Sequence, residues 1–329
     1  MMRVATGVSL FLMAAVGSQA ASPKDRPGVK TPGVQIPFSA LKVDMEFEAA
    51  AGLAWIAITD TVVVANAAKD GLARIDAKAK EKKLADPIAG IKQPCSGAVS
   101  AFDALWVGSC GDGALVRVDP KTAKVTATIA TGIGPARAGL AATADSIWVL
   151  TDARGTLSRV DPVQKVVVAE FRVPADCGAL TFGETALWLA CPGENRVLRV
   201  DPQTNLVDKS IEVSARPEAM VVGEGSVWVM CAKDGKVERI DPKTNKVTKT
   251  IEMGAPAAGG AIAFGEGSVW VSMAGFPLTR IDPQTDKVAQ QFYGDGGGVV
   301  QAGLGSVWLG DGGKLMRLDP KRLAATLAE

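Results

Sequence analysis

The stretch that decides the fold runs from Ser226 to Met253 and reads SVWVMCAKDGKVERIDPKTNKVTKTIEM. It begins with an apolar run around Trp228, turns at Asp234-Gly235, and reaches Arg-Ile-Asp-Pro at 239–242. It ends with a segment that alternates polar and apolar residues. Short extended runs separated by Gly, Asp and Pro turns are typical of antiparallel strands.

The same unit recurs along the chain with a period near 40 residues. An Arg-(Ile/Val/Leu)-Asp tripeptide occurs seven times, with its aspartates at 76, 119, 161, 201, 241, 282 and 319. Six of these aspartates follow a tryptophan by 11 to 13 residues: Trp106, Trp148, Trp188, Trp228, Trp270 and Trp308. The first unit has Val63 in that slot, and its Trp55 lies eight residues earlier. Each unit offers four extended segments without helical periodicity, which predicts one propeller blade per unit.

We therefore predict an all-β fold, a seven-bladed β-propeller with four antiparallel strands per blade, over residues 42–329. The six tryptophans lie on second strands that are apolar on both faces, so we expect them to be wedged between stacked blades. Two segments are candidates for the outer strand of the last blade. They are KVDMEF at 42–47 and LAATL at 323–327.

The N-terminal region has the pattern of an export signal. Residues 1–20 contain Arg3, an apolar run at 4–16 and a Ser-Gln-Ala cleavage site, which predicts a signal peptide cleaved after Ala20. Residues 21–41 contain four prolines and are predicted to be a Pro-rich linker. The expected location is periplasmic or secreted. No later stretch is long and apolar enough to predict a membrane span.

Composition excludes several classes of function. The formal net charge of +1 gives no reason to expect a nucleic-acid partner. The chain has no histidine, which removes the commonest general base and the commonest metal ligand. Phosphate-binding, dinucleotide-binding and Ser/His/Asp signatures are absent from the sequence. We predict no cofactor, no metal and no catalytic residue, and we expect a monomer.

The five cysteines predict two disulfides and one free thiol. Cys95 and Cys110 flank one hairpin, and Cys177 and Cys191 flank another, so both pairs are expected to be within bridging distance. Cys231 occupies the slot of Cys191 one repeat later and faces Pro217, which predicts a free thiol. A Cys191–Cys231 bond would have to join neighbouring blades. A zinc site is the functional rival, but the chain has no CxxC spacing.

The seven Arg/Asp pairs allow a structural and a functional interpretation. Residues two apart on a strand share a face, so each pair could form a recurring charged site. The alternative is that each Asp caps the turn after it, while the Arg pairs with that Asp or with a neighbouring blade. Seven near-identical copies around a ring favour the structural role.

The repeats also resemble a known family. The units GEGSVWV at 223–229 and 265–271 and RIDPKT at 239–244 are similar to YVTN-type β-propeller repeats of exported bacterial proteins, and to the repeats of virginiamycin B lyase. The resemblance covers nearly all of the chain after the signal peptide and implies a propeller. It further implies an enzyme that uses histidine and a divalent metal to eliminate across an ester. Since the chain has no histidine, no catalytic imidazole can be assigned here.

In a propeller the first strands line the central channel, and the loops that enter them form one rim. The channel strands are small and mostly apolar, with Ser100, Thr181 and Gln301 as their polar residues. The irregular loops of that rim carry the non-repeating charges, and Phe276 and Tyr293 could add a stacking wall. The candidate ligand-binding residues are Arg137, Arg216, Glu218, Asp176, Asp152, Asp112 and Asp311.

Three functions are compatible with this sequence. The first is an exported binding or interaction scaffold that holds a small molecule, a peptide or an envelope protein at the channel mouth. The second is a lyase or hydrolase that uses Asp or Glu with a divalent metal, related to virginiamycin B lyase. The third is a purely architectural envelope component. The sequence favours the scaffold because it supplies a platform and no catalytic constellation.

Overall fold

The structure is a computed structural model that describes residues 26–48, 53–59, 61–66, 70–78, 80–82, 84–134, 139–151 and 154–326. The predicted signal peptide, 1–20, lies outside these residues. Within them, the strands form six four-stranded sheets and one five-stranded sheet. No helix of this part of the chain is long and apolar enough to cross a membrane.

The sheets follow one another along the chain and are numbered here in that order. The first contains Leu53–Ile58, Val62–Asn66, Leu72–Ile75 and Ala85–Ile88. The second contains Pro94–Ala101, Ala104–Ser109, Ala114–Asp119 and Lys124–Ala130. The third contains Gly139–Ala142, Ile147–Leu150, Thr156–Asp161 and Val166–Arg172. The fourth contains Leu180–Gly183, Ala186–Cys191, Arg196–Asp201 and Leu206–Glu212.

The remaining sheets recruit strands from the N-terminal region. The fifth contains Pro217–Gly223, Ser226–Cys231, Lys236–Asp241 and Lys246–Glu252. The sixth contains Gly260–Gly265, Ser268–Met273, Phe276–Asp282 and Lys287–Tyr293, with Gln35–Pro37 as a fifth strand. The seventh contains Val299–Gly303, Ser306–Asp311 and Lys314–Leu318, with Met45–Glu48 as its outer strand. A 3-10 helix at Phe38–Ala40 and an α-helix at Pro320–Ala325 complete the elements.

The sheets are arranged as in a β-propeller. Consecutive strands of each repeat pair antiparallel, and the first strand of each sheet contacts the first strand of the next. The first strand of the seventh sheet in turn contacts that of the first sheet. The predicted all-β propeller with antiparallel four-stranded blades is therefore confirmed.

The outer strand of the seventh sheet comes from the N-terminal side. Met45–Glu48 pairs antiparallel with Lys314–Leu318, so the first of the two candidate segments is the right one. The alternative at 323–327 is wrong, because the chain after Asp319 is helical. The Asp319 side chain accepts hydrogen bonds from the N–H groups of Lys321 and Arg322, and Pro320 occupies the first helical turn, which together start a helix.

Residues 26–41, which belong to the predicted linker, pack against the sixth sheet. Gln35–Pro37 pairs in parallel with the outer strand, in the register Gln35 to Gln291. Val34 and Ile36 are buried there. That outer strand, KVAQQFY, also lacks the alternating charges of its equivalent KVTKTIE at 246–252. An added strand protects an edge that charges would otherwise protect.

The six repeat tryptophans lie at the seams between sheets, as predicted, and each has 0% exposure. Trp228 belongs to one buried cluster with Val269 and Val271 of the sixth sheet. Trp308 belongs to one buried cluster with Ile56 and Ile75 of the first sheet, so the last and first sheets also share apolar core. The tryptophans therefore set the spacing between neighbouring sheets.

The Arg/Asp pairs are structural. In all seven copies the Asp carboxylate accepts a hydrogen bond of 2.7 to 2.8 Å from the backbone N–H two residues later. Four of the arginines reach the turn of the next sheet and donate to the carbonyl oxygen after its aspartate: Arg74 to Pro120, Arg159 to Pro202, Arg239 to Pro283 and Arg317 to Ala77. The structural interpretation of the Arg/Asp pairs is therefore confirmed.

Candidate functional site

The first strands surround a central cavity of about 660 Å³. The first sheet contributes Ala54 to Ile58, the sixth contributes Gly260 to Ile262, and the seventh contributes Val299 to Ala302. The second, fourth and fifth sheets contribute only Gly97, Ala98, Ala179 and Ala219. Small side chains on the inner strands leave the centre of the ring open, which is what gives the cavity its volume.

The side chains that line the cavity are almost entirely apolar, but polar atoms make up nearly half of its exposed surface. Of the three polar channel residues that the sequence suggested, Gln301 lines the cavity, whereas Ser100 and Thr181 are not among its lining residues. Cavities of this size that combine apolar side chains with exposed polar groups are typical of sites for small organic ligands.

Trp55 is the aromatic residue of this wall, and sequence reasoning assigned it no role in the site. It is half-buried and lies on the innermost strand of the first sheet, where the other sheets have Gly, Ala or Val. The signal was present in the sequence, because this tryptophan precedes its expected slot by eight residues. A tryptophan moved from the second strand to the first changes from a seam residue into a channel residue.

Arg216 and Glu218 form an ion pair at the rim of the cavity. The pairing register shifts between Pro217 and Ala219, so Glu218 is the bulged residue of its strand. Arg216 has a φ of 63°, and its N–H donates to Asn195 Oδ1 at 2.9 Å. The Glu218 side chain is 19% exposed, and its neighbour Ala219 lines the cavity. Bulges and left-handed residues concentrate at functional sites because they redirect a side chain.

Three other candidate residues serve the local loop structure or lie apart from this pair. Asp112 accepts a hydrogen bond from Ser109 Oγ at 2.9 Å and pairs with Lys92. Asp176 accepts from the backbone N–H of Gly193. Asp311 lies against Gly296 in the seventh sheet's loop region. The structure therefore brings Arg216 and Glu218 together and leaves these aspartates at separate positions around the ring.

The remaining candidates fall into two groups. Arg137 and Asp152 lie outside the described residues. Phe276 is buried in the core, and Tyr293 is covered by the Arg26 guanidinium at 3.7 Å from the ring centroid. Neither aromatic residue forms the stacking wall that the sequence suggested.

The cysteines are arranged as predicted. The structure contains the Cys95–Cys110 and Cys177–Cys191 disulfides, with Cα–Cα distances of 5.9 and 3.8 Å. Cys231 is a buried free thiol opposite Pro217. Burial, with the carboxylates of Glu238 and Asp234 nearby, raises the pKa of this thiol well above its usual range. A protonated, buried thiol is a poor nucleophile, so Cys231 has no catalytic character.

A metal site requires a group of side chains that can bind the ion. Among the described residues, no three Asp, Glu or Cys side chains are grouped so that they could hold a metal ion. The metal-dependent lyase considered from the sequence therefore gains no ligand set from the described part of the chain.

Two solved structures with a similar fold are lyases by name. Virginiamycin B lyase from Staphylococcus aureus superposes with a TM-score of 0.71 and 13% identity, over 83% of this chain and 97% of the lyase. A streptogramin B lyase structure gives 0.65 and 14%, over 84% and 95%. The resemblance in the repeat sequence is thus confirmed at the level of the fold. Identities this low carry no information on activity.

A sequence family is also matched. No curated protein is significantly similar to the chain in sequence. A family model described as glutamine cyclotransferase matches residues 98–262, which is 165 of the 329 residues. Because this match extends over just more than half of the chain, from the second sheet into the sixth, the chain belongs to the glutamine cyclotransferase family.

Proposed function

We propose that this protein is an exported binding protein whose central cavity holds a compact organic ligand with a largely apolar body. The observation that carries the proposal is the cavity of about 660 Å³, walled by Gly, Ala, Val and Ile residues with Trp55 and Gln301. Pockets of about 300 to 1,000 Å³ suit small molecules, and the apolar side chains of the wall supply binding through burial.

The rim supplies orientation to such a ligand. The Arg216–Glu218 pair offers one cationic and one anionic group beside an apolar wall, so a polar or charged end of the ligand would lie there while its apolar end enters the ring. Arginine is suited to carboxylate and phosphate groups, and glutamate is suited to amines. The ligand class is therefore an amphiphilic small molecule or the end of a peptide.

The proposal includes a rigid frame around this cavity. We take the seven sheets as the seven blades of one closed ring, supported by the cyclic contacts of the first strands and by the buried cluster that Trp308 shares with the first sheet. A closed ring has no free inner edges, so it presents fixed walls to a ligand. Binding then requires little ordering of the protein, which favours affinity.

Export is the second part of the proposal. The signal-peptide pattern at 1–20 supports it, and so do the two disulfides, which persist in oxidising compartments such as the periplasm or the exterior. Expression of the full chain fused to a reporter that is active only after export would test this. Retention of the fusion in the cytoplasm, with reduced cysteines, would contradict it.

The binding site is tested by filling the cavity. The fluorescent probe 8-anilinonaphthalene-1-sulfonate combines an apolar body with an anionic end, and we expect it to bind saturably. Ala219→Trp should weaken this binding at least about tenfold, because the indole would occupy the cavity. Ala325→Trp, on the exposed helix at 320–325, is the matched control and should leave the binding unchanged. Equal binding by both variants would show that the probe lies elsewhere.

A second candidate is glutamine cyclotransferase activity, which the family match favours. Cyclisation of an N-terminal glutamine forms a bond between its amine nitrogen and its side-chain amide carbon, and releases ammonia. Glu218 is the rim carboxylate placed to accept a proton from the attacking amine. Ammonia release from a peptide with N-terminal glutamine tests this, with Glu218→Gln as the inactive variant. Probe binding without ammonia release would support the binding function and contradict the cyclotransferase activity.

A further inference from the structure

The seams between sheets contain a recurring receptor for a guanidinium group. At the third seam, between the third and fourth sheets, Arg159 Nη1 donates to the Pro202 carbonyl at 3.3 Å and to Asn205 Oδ1 at 3.4 Å. At the seam between the fifth and sixth sheets, Arg239 Nη1 donates to the Pro283 carbonyl at 3.0 Å and to Asp286 Oδ1 at 2.8 Å. Each receptor is therefore a proline carbonyl plus a side-chain oxygen three residues later.

The seam between the fourth and fifth sheets has the receptor but not its guanidinium. Pro242 and Asn245 stand in the receptor positions, yet Arg199 Nη1 donates to Asp208 in its own sheet. Asn245 Oδ1 and Arg199 Nε are both buried, and neither has a hydrogen-bond partner. A buried acceptor without a donor is costly, so this arrangement requires an explanation.

Two sequence differences distinguish the surroundings of Arg199 from those of Arg159 and Arg239, which do cross their seams. Arg159, Arg239 and Arg280 each donate through Nε to a serine at or just before the start of the second strand: Ser146, Ser226 and Ser268. The equivalent residue in the fourth sheet is Ala186, which cannot accept. Asp208 also provides a carboxylate where the equivalent strands have Thr126, Val168, Thr248 and Ala289. The arginine is drawn to the outer strand by charge and is not held at the seam.

A cavity of about 430 Å³ opens where the guanidinium would have been. It is lined by Glu184, Thr185, Arg199, Pro242, Lys243 and Asn245. The Glu184 carboxylate is exposed and has no ion pair with any residue that the structure describes. At the next seam the equivalent Glu224 is engaged, because its Oε1 accepts from Gln284 at 2.8 Å. This seam thus combines a buried acceptor without a donor, Asn245 Oδ1, with a carboxylate that forms no ion pair in the described part of the chain.

We propose that this cavity binds a guanidinium group from outside the chain, such as an arginine side chain of a peptide. The Asn245 amide oxygen and the Pro242 carbonyl receive the planar N–H fork, as their equivalents receive Arg159 and Arg239, and Glu184 balances the charge. A guanidinium suits this set better than an ammonium because it presents several donors in one plane.

The two cations that line the cavity do not exclude such a ligand. Asp208 neutralises the charge of Arg199 through their ion pair. Lys243 is exposed, and a solvated ammonium on a flexible stem is well screened by water. This site lies at the end of the sheets where the turn joins the third strand to the fourth. The Arg216–Glu218 rim lies at the other end of the sheets, so the site is independent of the proposed central cavity.

The experiment is a titration of the folded protein with N-acetyl-L-arginine amide, followed by NMR through the side-chain amide signals of Asn245. We expect saturable shifts of those signals. The citrulline analogue, which has the same shape without the charge, should bind at least about tenfold more weakly. Equal binding of the arginine and citrulline probes would overturn the assignment of a guanidinium site.

Variants locate the site. Asn245→Gly removes the acceptor and suits the backbone, because residue 245 has a φ of 56°. It should weaken probe binding, followed through backbone signals, at least about tenfold. Asp208→Asn should weaken it similarly by releasing Arg199 into the receptor. Asn205→Gly, at the filled seam, is the matched control. Unchanged binding in both Asn245→Gly and Asp208→Asn would overturn the proposal, as would equal losses in Asn205→Gly and Asn245→Gly.

Discussion

Arg317 Nη1 donates a hydrogen bond of 2.8 Å to the carbonyl oxygen of Ala77, which lies 240 residues earlier in the chain. This bond has the same form as those from Arg74 to Pro120 and from Arg239 to Pro283. The last sheet therefore binds the first through the same arginine-to-carbonyl hydrogen bond that joins neighbouring sheets elsewhere. Ala77 replaces the usual proline without loss, because only its carbonyl group takes part.

This relationship predicts that the closing seam depends on Arg317. Arg317→Ala should lower the free energy of unfolding by about 1 to 3 kcal/mol, because it leaves a carbonyl of the turn without its charged donor. Arg117→Ala is the matched control, since Arg117 donates to Thr126 within its own sheet. Urea unfolding of both variants measures the difference, and equal losses would argue against a special closing bond.

The buried tryptophans should dominate the stability of the seams. Trp228→Ala removes a fully buried indole and should lower the free energy of unfolding by about 3 to 5 kcal/mol. Val163→Ala, at a side chain that is 82% exposed, should change it by less than about 0.5 kcal/mol. A loss below about 1 kcal/mol for Trp228→Ala would mean that this residue does not space the sheets.

The free thiol should be unreactive in the folded protein. Cys231 has 0% exposure and a raised pKa, so iodoacetamide at pH 8 should not modify it in the native state. Denaturant without reductant should expose one thiol per chain, because the other four cysteines are in disulfides. Mass spectrometry of the alkylated protein counts the modified sites. Two or more modified cysteines would contradict the disulfide pairing.

The same thiol should make stability decline at alkaline pH. Its pKa is raised in the folded state above the usual 9.0, chiefly by burial, so the native state favours the protonated form. The stabilisation is complete below pH 9 and is lost as the pH rises further, because the unfolded state then releases its proton first. Cys231→Ala should show a smaller decline between pH 9 and 11 in urea unfolding. Identical pH profiles would refute this.

The turn aspartates predict the opposite dependence in acid. The backbone N–H of Lys243, together with that of Thr244, holds the pKa of Asp241 below its usual 3.8. A lowered pKa stabilises the folded state above pH 4, and this contribution is lost as the pH falls through the folded value. Asp241→Asn should therefore lose less stability between pH 4 and 2 than the natural chain. The check is urea unfolding across that range, with Asp103→Asn as the surface control.

Much of the architecture is readable from the repeats. The Asp-Pro turns, the Gly-rich hairpins and the doubly apolar second strands each specify their local structure, so the blade follows from any one copy. The cysteine pairs were equally readable, since they flank hairpins of known length. The strand Gln35–Pro37 could not be predicted, because a proline-rich segment carries no signal for the edge that it covers. The strand at 287–293, whose one charged residue is Lys287, was the indication of a covered edge.

The candidate site could not be predicted from local sequence patterns to the same extent as the fold. The sequence alone determined that four-stranded sheets recur, where their tryptophans and turns fall, and that histidine chemistry is excluded, because these depend on residue type and spacing. Only the tertiary structure decided that Trp55 lines the cavity, that Glu218 lies at its rim, and that Arg199 leaves Asn245 without a partner. Those relationships arise between residues far apart in the chain, and packing of one sheet against the next determines them.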